Sequence, residues 1–177
     1  MQISLASAKN SNNSDASIEF LDYVYSSLDS EPSTIAVYLD FSKAFYTVNH
    51  NILMSKLLHS GVRGVMQHWF ESYLSNRKQY VSIKNCSSSI SNITLGVQQG
   101  SVLGTVLFLL HINDIYRSSN QMRFVHFADD TTVFAANSDI NNVNATVNRE
   151  LEGVDNWLKA NRLSLNVSKT SYMIISN

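Results

Sequence analysis

The sequence predicts an α+β fold, a small antiparallel sheet backed by helices. Three observations carry that prediction. The stretch Phe124–Phe134 reads Phe-Val-His-Phe-Ala-Asp-Asp-Thr-Thr-Val-Phe. Two strand-forming runs around a short polar tip are the pattern of a β-hairpin. The stretch Thr34–Phe41 is a short apolar run and predicts a buried strand with Asp40 at its end. Helical periodicities fill much of the remainder.

Length and composition fit one globular domain. A chain of 177 residues with 44% apolar content can bury a proper core. The single cysteine, Cys86, excludes an internal disulfide and predicts an intracellular, reducing setting, cytoplasm or nucleus. Met1–Asn10 lacks the apolar core of a signal peptide, so secretion is not expected. The most apolar stretch, Val102–Ile112, is too short to span a bilayer, and no membrane partner is expected. The net charge is -1. A chain that grips nucleic acid alone usually carries a basic face. The balance therefore predicts weak nucleic-acid binding or a chain parted from its basic portions.

Taken in order, residues 1–15 are rich in Ser and Asn and read as loosely ordered. Asp15 is placed to cap a helix from Ala16 to Leu28, and Pro32 ends that region. After the strand at 34–41, Asn49–Leu58 reads as a helix stopped by Gly61. Val65–Leu74 reads as another, with Trp69, Phe70, Tyr73 and Leu74 facing inward as core rather than as a base-stacking platform. Asn76–Lys84 and Ile90–Leu95 read as paired strands around a turn at Asn85–Ser89. A glycine-rich loop, Gly96–Gly104, precedes a helix from Val102 to Tyr116. Asn141–Leu158 places Val143, Val147, Leu151, Val154 and Leu158 on one helical face. Leu163–Val167 and Tyr172–Ile175 read as closing strands. No repeat or composition break divides 16–177, which reads as one domain.

Chemistry concentrates at Asp40, at Gln99-Gly100, and at Asp129-Asp130. Adjacent carboxylates at a hairpin tip repel, and a divalent cation turns repulsion into attraction. An Asp-Asp pair also suits an ordinary turn. Carboxylates from two strands that meet can hold two Mg²⁺ ions for in-line phosphoryl transfer. The five histidines have no metal-ligand spacing and read as structural or surface residues.

In these blocks the sequence resembles the reverse transcriptase of non-LTR (LINE-type) retrotransposons, in the jockey-like and CR1-like branch. Val37–Leu57, with Tyr-Leu-Asp-Phe-Ser-Lys-Ala-Phe at its centre, is similar to motif A, and Gly96–Ile115 to motif B. Phe127–Thr131 is similar to motif C, and Trp157–Met173 to motif D and its approach. The resemblance covers Ala16–Ile175 and implies a polymerase palm with the catalytic Asp-Asp on a β-hairpin. The family's fingers motifs would precede Ala16, where only a Ser/Asn-rich stretch stands, and its thumb would follow Asn177, so 16–177 reads as a palm domain with fingers and thumb largely absent. The implied activity is RNA-directed DNA polymerisation, with an RNA template, a DNA primer and dNTPs as partners. The implied cofactor is Mg²⁺, two ions, with Mn²⁺ as a substitute. Asp40 and Asp129 would be the principal metal ligands, with Asp130 beside them. Phe45 would be the aromatic gate that rejects a 2'-hydroxyl, with Phe41 near the same substrate. Gln99 and Gly100 would lie against nucleotide and template. Lys169 would place a cation near the triphosphate, or else be a solvated surface Lys.

The chain departs from the family pattern at Tyr46, Gln98, Thr105 and His111, where Asp, Pro, Pro and Tyr are usual. Tyr46 and Gln98 favour a second reading, a decayed copy that keeps the fold without activity. The retained Asp40, Asp129 and Asp130 disfavour it. An RNA-dependent RNA polymerase palm fits less well, because Phe45 at the gate implies deoxynucleotides.

Overall fold

Seven consecutive residues without a charge, Ser33–Leu39, form the strand that organises the sheet. The computed structural model describes residues 33–127 and 130–176. The loosely ordered segment and helix expected at 1–28, Pro32, and Ala128 and Asp129 lie outside the described residues. The described elements, in order, are β1 (Ser33–Leu39), α1 (Ala44–Thr47), α2 (His50–His59), α3 (Val65–Leu74), β2 (Lys78–Gln79), β3 (Ser82–Ile83), β4 (Cys86–Ser87), β5 (Ser91–Asn92), α4 (Val102–Ile112), β6 (Arg123–Phe127), β7 (Asp130–Asn137), α5 (Ile140–Ala160) and β8 (Ser171–Ser176). A 3₁₀ turn at Ile115–Ser118 lies between α4 and β6. They form two compact units, one of Met1–Ser42 with Asn113–Asn177 and one of Lys43–Ile112.

In the first unit the sheet order is β6-β7-β1-β8, antiparallel throughout. Strand β1 is paired on both edges, and six of its seven residues are buried. Side chains alternate between faces along each strand. Ile35 and Val37 face α5, which packs on β1 and β7. Ala36 and Tyr38 share the other face with Val125 and Phe134. Val143, Val147, Val154 and Leu158 are the buried stripe of α5, as the period predicts. Asp139 caps this helix, its carboxylate accepting from Asn141 N at 2.9 Å. A cleft of about 460 Å³ opens on the α5 side, between that helix and strands β1 and β8. Of the closing strands, only the second forms. Residues 163–167 run irregularly, with a single bridge between Leu165 and Phe41. Strand β8 forms the edge of the sheet and exposes Tyr172, Met173 and Ile174.

In the second unit α2 packs against α3 and α4, burying Leu53, Leu57, Leu107 and Phe108 completely. Helix α4 stops at Ile112, short of the expected Tyr116. Lys56 Nζ donates to the carbonyl of His111 at this helix end, where a cation is favoured. Helix α3 has the expected bounds but not the expected inward face. Leu74 is its one buried residue, and Trp69 is 49% exposed. The helix meets the core by its C-terminal end and leaves Trp69 outside. The expected strand pair forms as two short ladders, β2 with β5 and β3 with β4. The turn falls at Lys84-Asn85, with Lys84 at φ +54°, rather than across Asn85–Ser89.

Charge divides with the units. Residues 43–112 hold six Lys and Arg against one Glu, a balance of +5. The rest of the chain holds seven against thirteen, a balance of -6. The near-zero net charge is thus a cancellation between the two units.

Helices α2 and α5 end in the same pair of backbone bonds. At α2, Gly61 N donates to Leu58 O and Val62 N to Leu57 O, with Gly61 at φ +93°. At α5, Arg162 N donates to Lys159 O and Leu163 N to Leu158 O, with Arg162 at φ +57°. The left-handed position suits glycine and costs a side-chain-bearing residue about 1 kcal/mol. Arg162→Gly is therefore expected to raise the melting temperature by about 2–4 °C, as read by thermal unfolding monitored by circular dichroism.

Candidate active site

The hairpin predicted around Asp129-Asp130 forms. Phe127 pairs with Asp130, which opens β7, and Ala128 and Asp129 lie outside the described residues. On the other side of β7, Leu39 pairs with Thr131. Continuing that register by one place sets Asp40 opposite Asp130. Alternation then puts both carboxylates on the sheet face that α5 does not cover. Asp40 is half-buried and Asp130 exposed. Two like charges at facing positions repel, and oxygen donors so placed suit a hard divalent cation. Among the described residues no three His, Cys, Asp or Glu side chains come together. Asp129, the third expected carboxylate, lies outside them.

The turn that carries Lys169 is tied to Asp40. Asn166 N donates to Asp40 O at 2.8 Å, and Asp40 N donates to Thr170 Oγ1 at 3.4 Å. Both backbone groups of Asp40 therefore bond to one short segment. Lys169 N and Thr170 N donate to Asn166 O, and Ser168 Oγ donates to Asn166 Oδ1, which closes the turn. Lys169 itself is exposed, as a solvated cation should be. Phe41 is buried and bridges to Leu165 at the start of the same segment.

In the second unit, residues 45–50 clamp the start of the glycine-rich loop. Val97 N donates to Phe45 O at 2.7 Å, and Gly96 N donates to Val48 O at 2.8 Å. His50 Nε2 donates to Gly96 O at 2.8 Å, and Asn49 bridges to Leu95. Phe45 is buried, and its ring centroid lies 4.8 Å from that of Phe108. Such packing holds the ring rigidly. Ser101 ends the loop, its Oγ accepting from Gly104 N and donating to Gln98 O. Gln99 and Gly100 are exposed between these anchors, with Gly100 at φ +80°. Tyr46 is also exposed.

These blocks match known proteins. The sequence profile of the family described as reverse transcriptase (RNA-dependent DNA polymerase) matches residues 6–176. The chain belongs to the reverse transcriptase family. It is 23% identical over 167 residues to the RNA-directed DNA polymerase from mobile element jockey of Drosophila melanogaster, covering 89% of this chain and 18% of that protein. It is 27% identical over 158 residues to the probable RNA-directed DNA polymerase from transposon BS of the same species, covering 84% and 17%. The chain thus spans less than a fifth of these relatives. They mark it as a reverse transcriptase domain of the non-LTR retrotransposon type. Among solved structures it resembles apo telomerase of Candida tropicalis truncated from the C-terminal domain, with TM-score 0.65 at 15% identity, covering 93% of this chain and 35% of that one. It also resembles telomerase of Candida albicans in complex with a fragment of telomeric RNA, with TM-score 0.65 at 18% identity, covering 92% and 30%. At such identity the likeness shows the fold, a palm-like α+β arrangement. Reverse transcriptases as a family generally depend on divalent metal.

Sequence reasoning about this reverse transcriptase domain missed several residues around the expected site. Asn166 and Thr170 position Asp40, and the Asn-x-Ser order of an Asx turn was their only local signal. Gly96 reads as one glycine among three, yet its position admits no side chain. Its φ is +87°, and an added Cβ would lie 2.8 Å from Tyr46 O and 2.9 Å from Phe45 O. His126 bonds through Nδ1 to Thr131 Oγ1 at 3.0 Å, beside the hairpin tip. Burial pushes its pKa down from 6.5 to about 4.

Two outcomes follow for this domain. Gly96→Ala is expected to lower stability by about 2 kcal/mol or more, measured by urea unfolding, because backbone atoms cannot yield to the methyl group. His126 gives an acid-side effect. Between pH 6.5 and about 4 the unfolded chain binds a proton that the native imidazole refuses. Stability therefore falls as pH falls through that window, by something on the order of 3 kcal/mol. His126→Gln should flatten this limb of a melting-temperature profile and leave the neutral limb unchanged in slope.

Proposed function

We propose that this chain is the polymerising portion of an RNA-directed DNA polymerase that extends a DNA 3' end along an RNA template with dNTPs. The observation that carries the reading is the pairing of β7 with both neighbours, which ends at Leu39 opposite Thr131 and at Phe127 opposite Asp130, beside Asp40. The telomerase structure that contains an RNA fragment supports RNA as the template class.

In this reading Asp40 and Asp129 hold the metal, with Asp130 beside them. Two bound Mg²⁺ ions, or Mn²⁺ in their place, would supply activation of the primer 3'-hydroxyl and charge neutralisation at the pyrophosphate leaving group. The turn bonded to the Asp40 backbone brings the Lys169 cation near the triphosphate. Phe45, braced by Phe108, supplies a stiff wall against a ribose 2'-hydroxyl, and Phe41 is a further substrate contact in this reading. Gln99 and Gly100, held between the clamp and Ser101, meet the nucleotide and template with backbone exposed.

Primer extension tests this. An RNA template with an annealed DNA primer, dNTPs and Mg²⁺ should give extension that falls by about a hundredfold or more in Asp40→Asn and Asp129→Asn, and that chelation abolishes. A chain inactive with both Mg²⁺ and Mn²⁺ leaves a decayed copy or a palm lacking fingers and thumb, and grafting family fingers and thumb onto the chain and repeating the assay decides between them. A second readout needs no activity. In metal-free buffer, Asp40→Asn relieves repulsion and should raise the melting temperature by about 1–3 °C. An unchanged value, with and without added metal, would count against a carboxylate metal site.

A further inference from the structure

Helix α3 carries a column of rings that the core does not use. Trp69 and Tyr73 are spaced four residues apart, which aligns them along one side of the helix, and Arg77 follows just beyond its C-terminal end. The Trp69 and Tyr73 centroids lie 5.5 Å apart with planes 9° from parallel. The Arg77 guanidinium carbon lies 5.2 Å from the Tyr73 centroid. Trp69 is 49% exposed. A core role would have buried this indole, so its stacked but open geometry needs another explanation.

The surrounding charge supplies one. Residues 43–112 carry +5. Arg63 precedes α3 and Lys78 follows it, both exposed. The one acid of the unit, Glu71, is engaged by Gln67 Nε2 at 2.8 Å and His68 Nδ1 at 3.2 Å. Arg77 Nη2 also donates to Gln98 Oε1, on the loop that carries Gln99 and Gly100. Flat rings in a basic setting match a strand whose bases are unpaired and whose backbone is anionic.

We propose that Trp69, Tyr73 and Arg77 form a stacking platform for an unpaired base of the RNA template, with Arg63 and Lys78 drawing its phosphates. Only the identity of the strand rests on the polymerase reading. The platform uses neither Asp40 nor metal.

The test uses the full chain with Trp157→Phe, which leaves Trp69 as the sole tryptophan. A short oligouridylate is titrated in chelator without dNTPs. Saturable quenching of Trp69 emission that weakens with added salt is expected. A duplex with a single-stranded 5' template overhang should quench, and a blunt duplex should not. With labelled RNA, Trp69→Ala should weaken binding about tenfold, and Trp69→Phe should restore most of it. Binding in Trp69→Ala equal to the parent, or RNA that binds without quenching, would overturn the platform. So would a concentration-dependent dimer lost in Trp69→Ala, since a second copy would then be the occupant. Asp40→Asn should quench like the parent. Extension is scored separately, so a failure of the polymerase reading leaves the quenching result standing.

Discussion

Hydrogen bonding of β1 on both edges is the constraint from which the rest of the first unit follows. A buried strand must pair its backbone or lose several kcal/mol of hydrogen bonding. Strands β7 and β8 satisfy it from either side. With Ile35 and Val37 against α5 and Ala36 against Phe134, the register is pinned on both faces. A slip of one residue would turn every side chain over. Asp40 would then meet the helix-covered face, where an unpaired carboxylate is costly. The position of the candidate metal ligand is therefore a by-product of apolar packing several residues away.

The second unit works by a different rule. Its loop from Gly96 to Gly104 has no sheet to hold it. Backbone bonds from residues 45–50 fix its start, and Ser101 fixes its end. Gly104 is as crowded as Gly96, since an added Cβ would fall on Gln98 O. The exposed middle, Gln99-Gly100, is left as backbone held at both ends, an arrangement suited to close approach by a ligand.

The legible parts of the fold were those written in local pattern. The period of α5, the hairpin around Asp129-Asp130 and the stop at Gly61 each depend on residues near in sequence. Residues 163–167 misled because Leu163 and Leu165 alternate as a strand would, yet only Leu165 finds a bridge. Their backbone is occupied with Ser42 and Asp40 instead. Trp69 misled because helical spacing reports that a face is apolar, not what covers it. The charge separation was also hidden, because net charge sums over residues that the fold sorts into two units. The carboxylates and Lys169 were visible as types; the turn that joins Lys169 to Asp40 spans about 130 residues of sequence and had no local mark.

Strand β8 leaves the sheet with an open side. Among the described residues nothing pairs with its outer edge, and Ser-Tyr-Met-Ile-Ile-Ser contains neither proline nor a charge. Natural edges usually carry such guards against pairing with another chain. Two copies meeting along β8 would gain backbone bonds and cover Tyr172 and Ile174 at once. The strand beside β1 is thus where the described sheet is most exposed to self-association. A lysine at Met173 would act on solubility before it acted on chemistry.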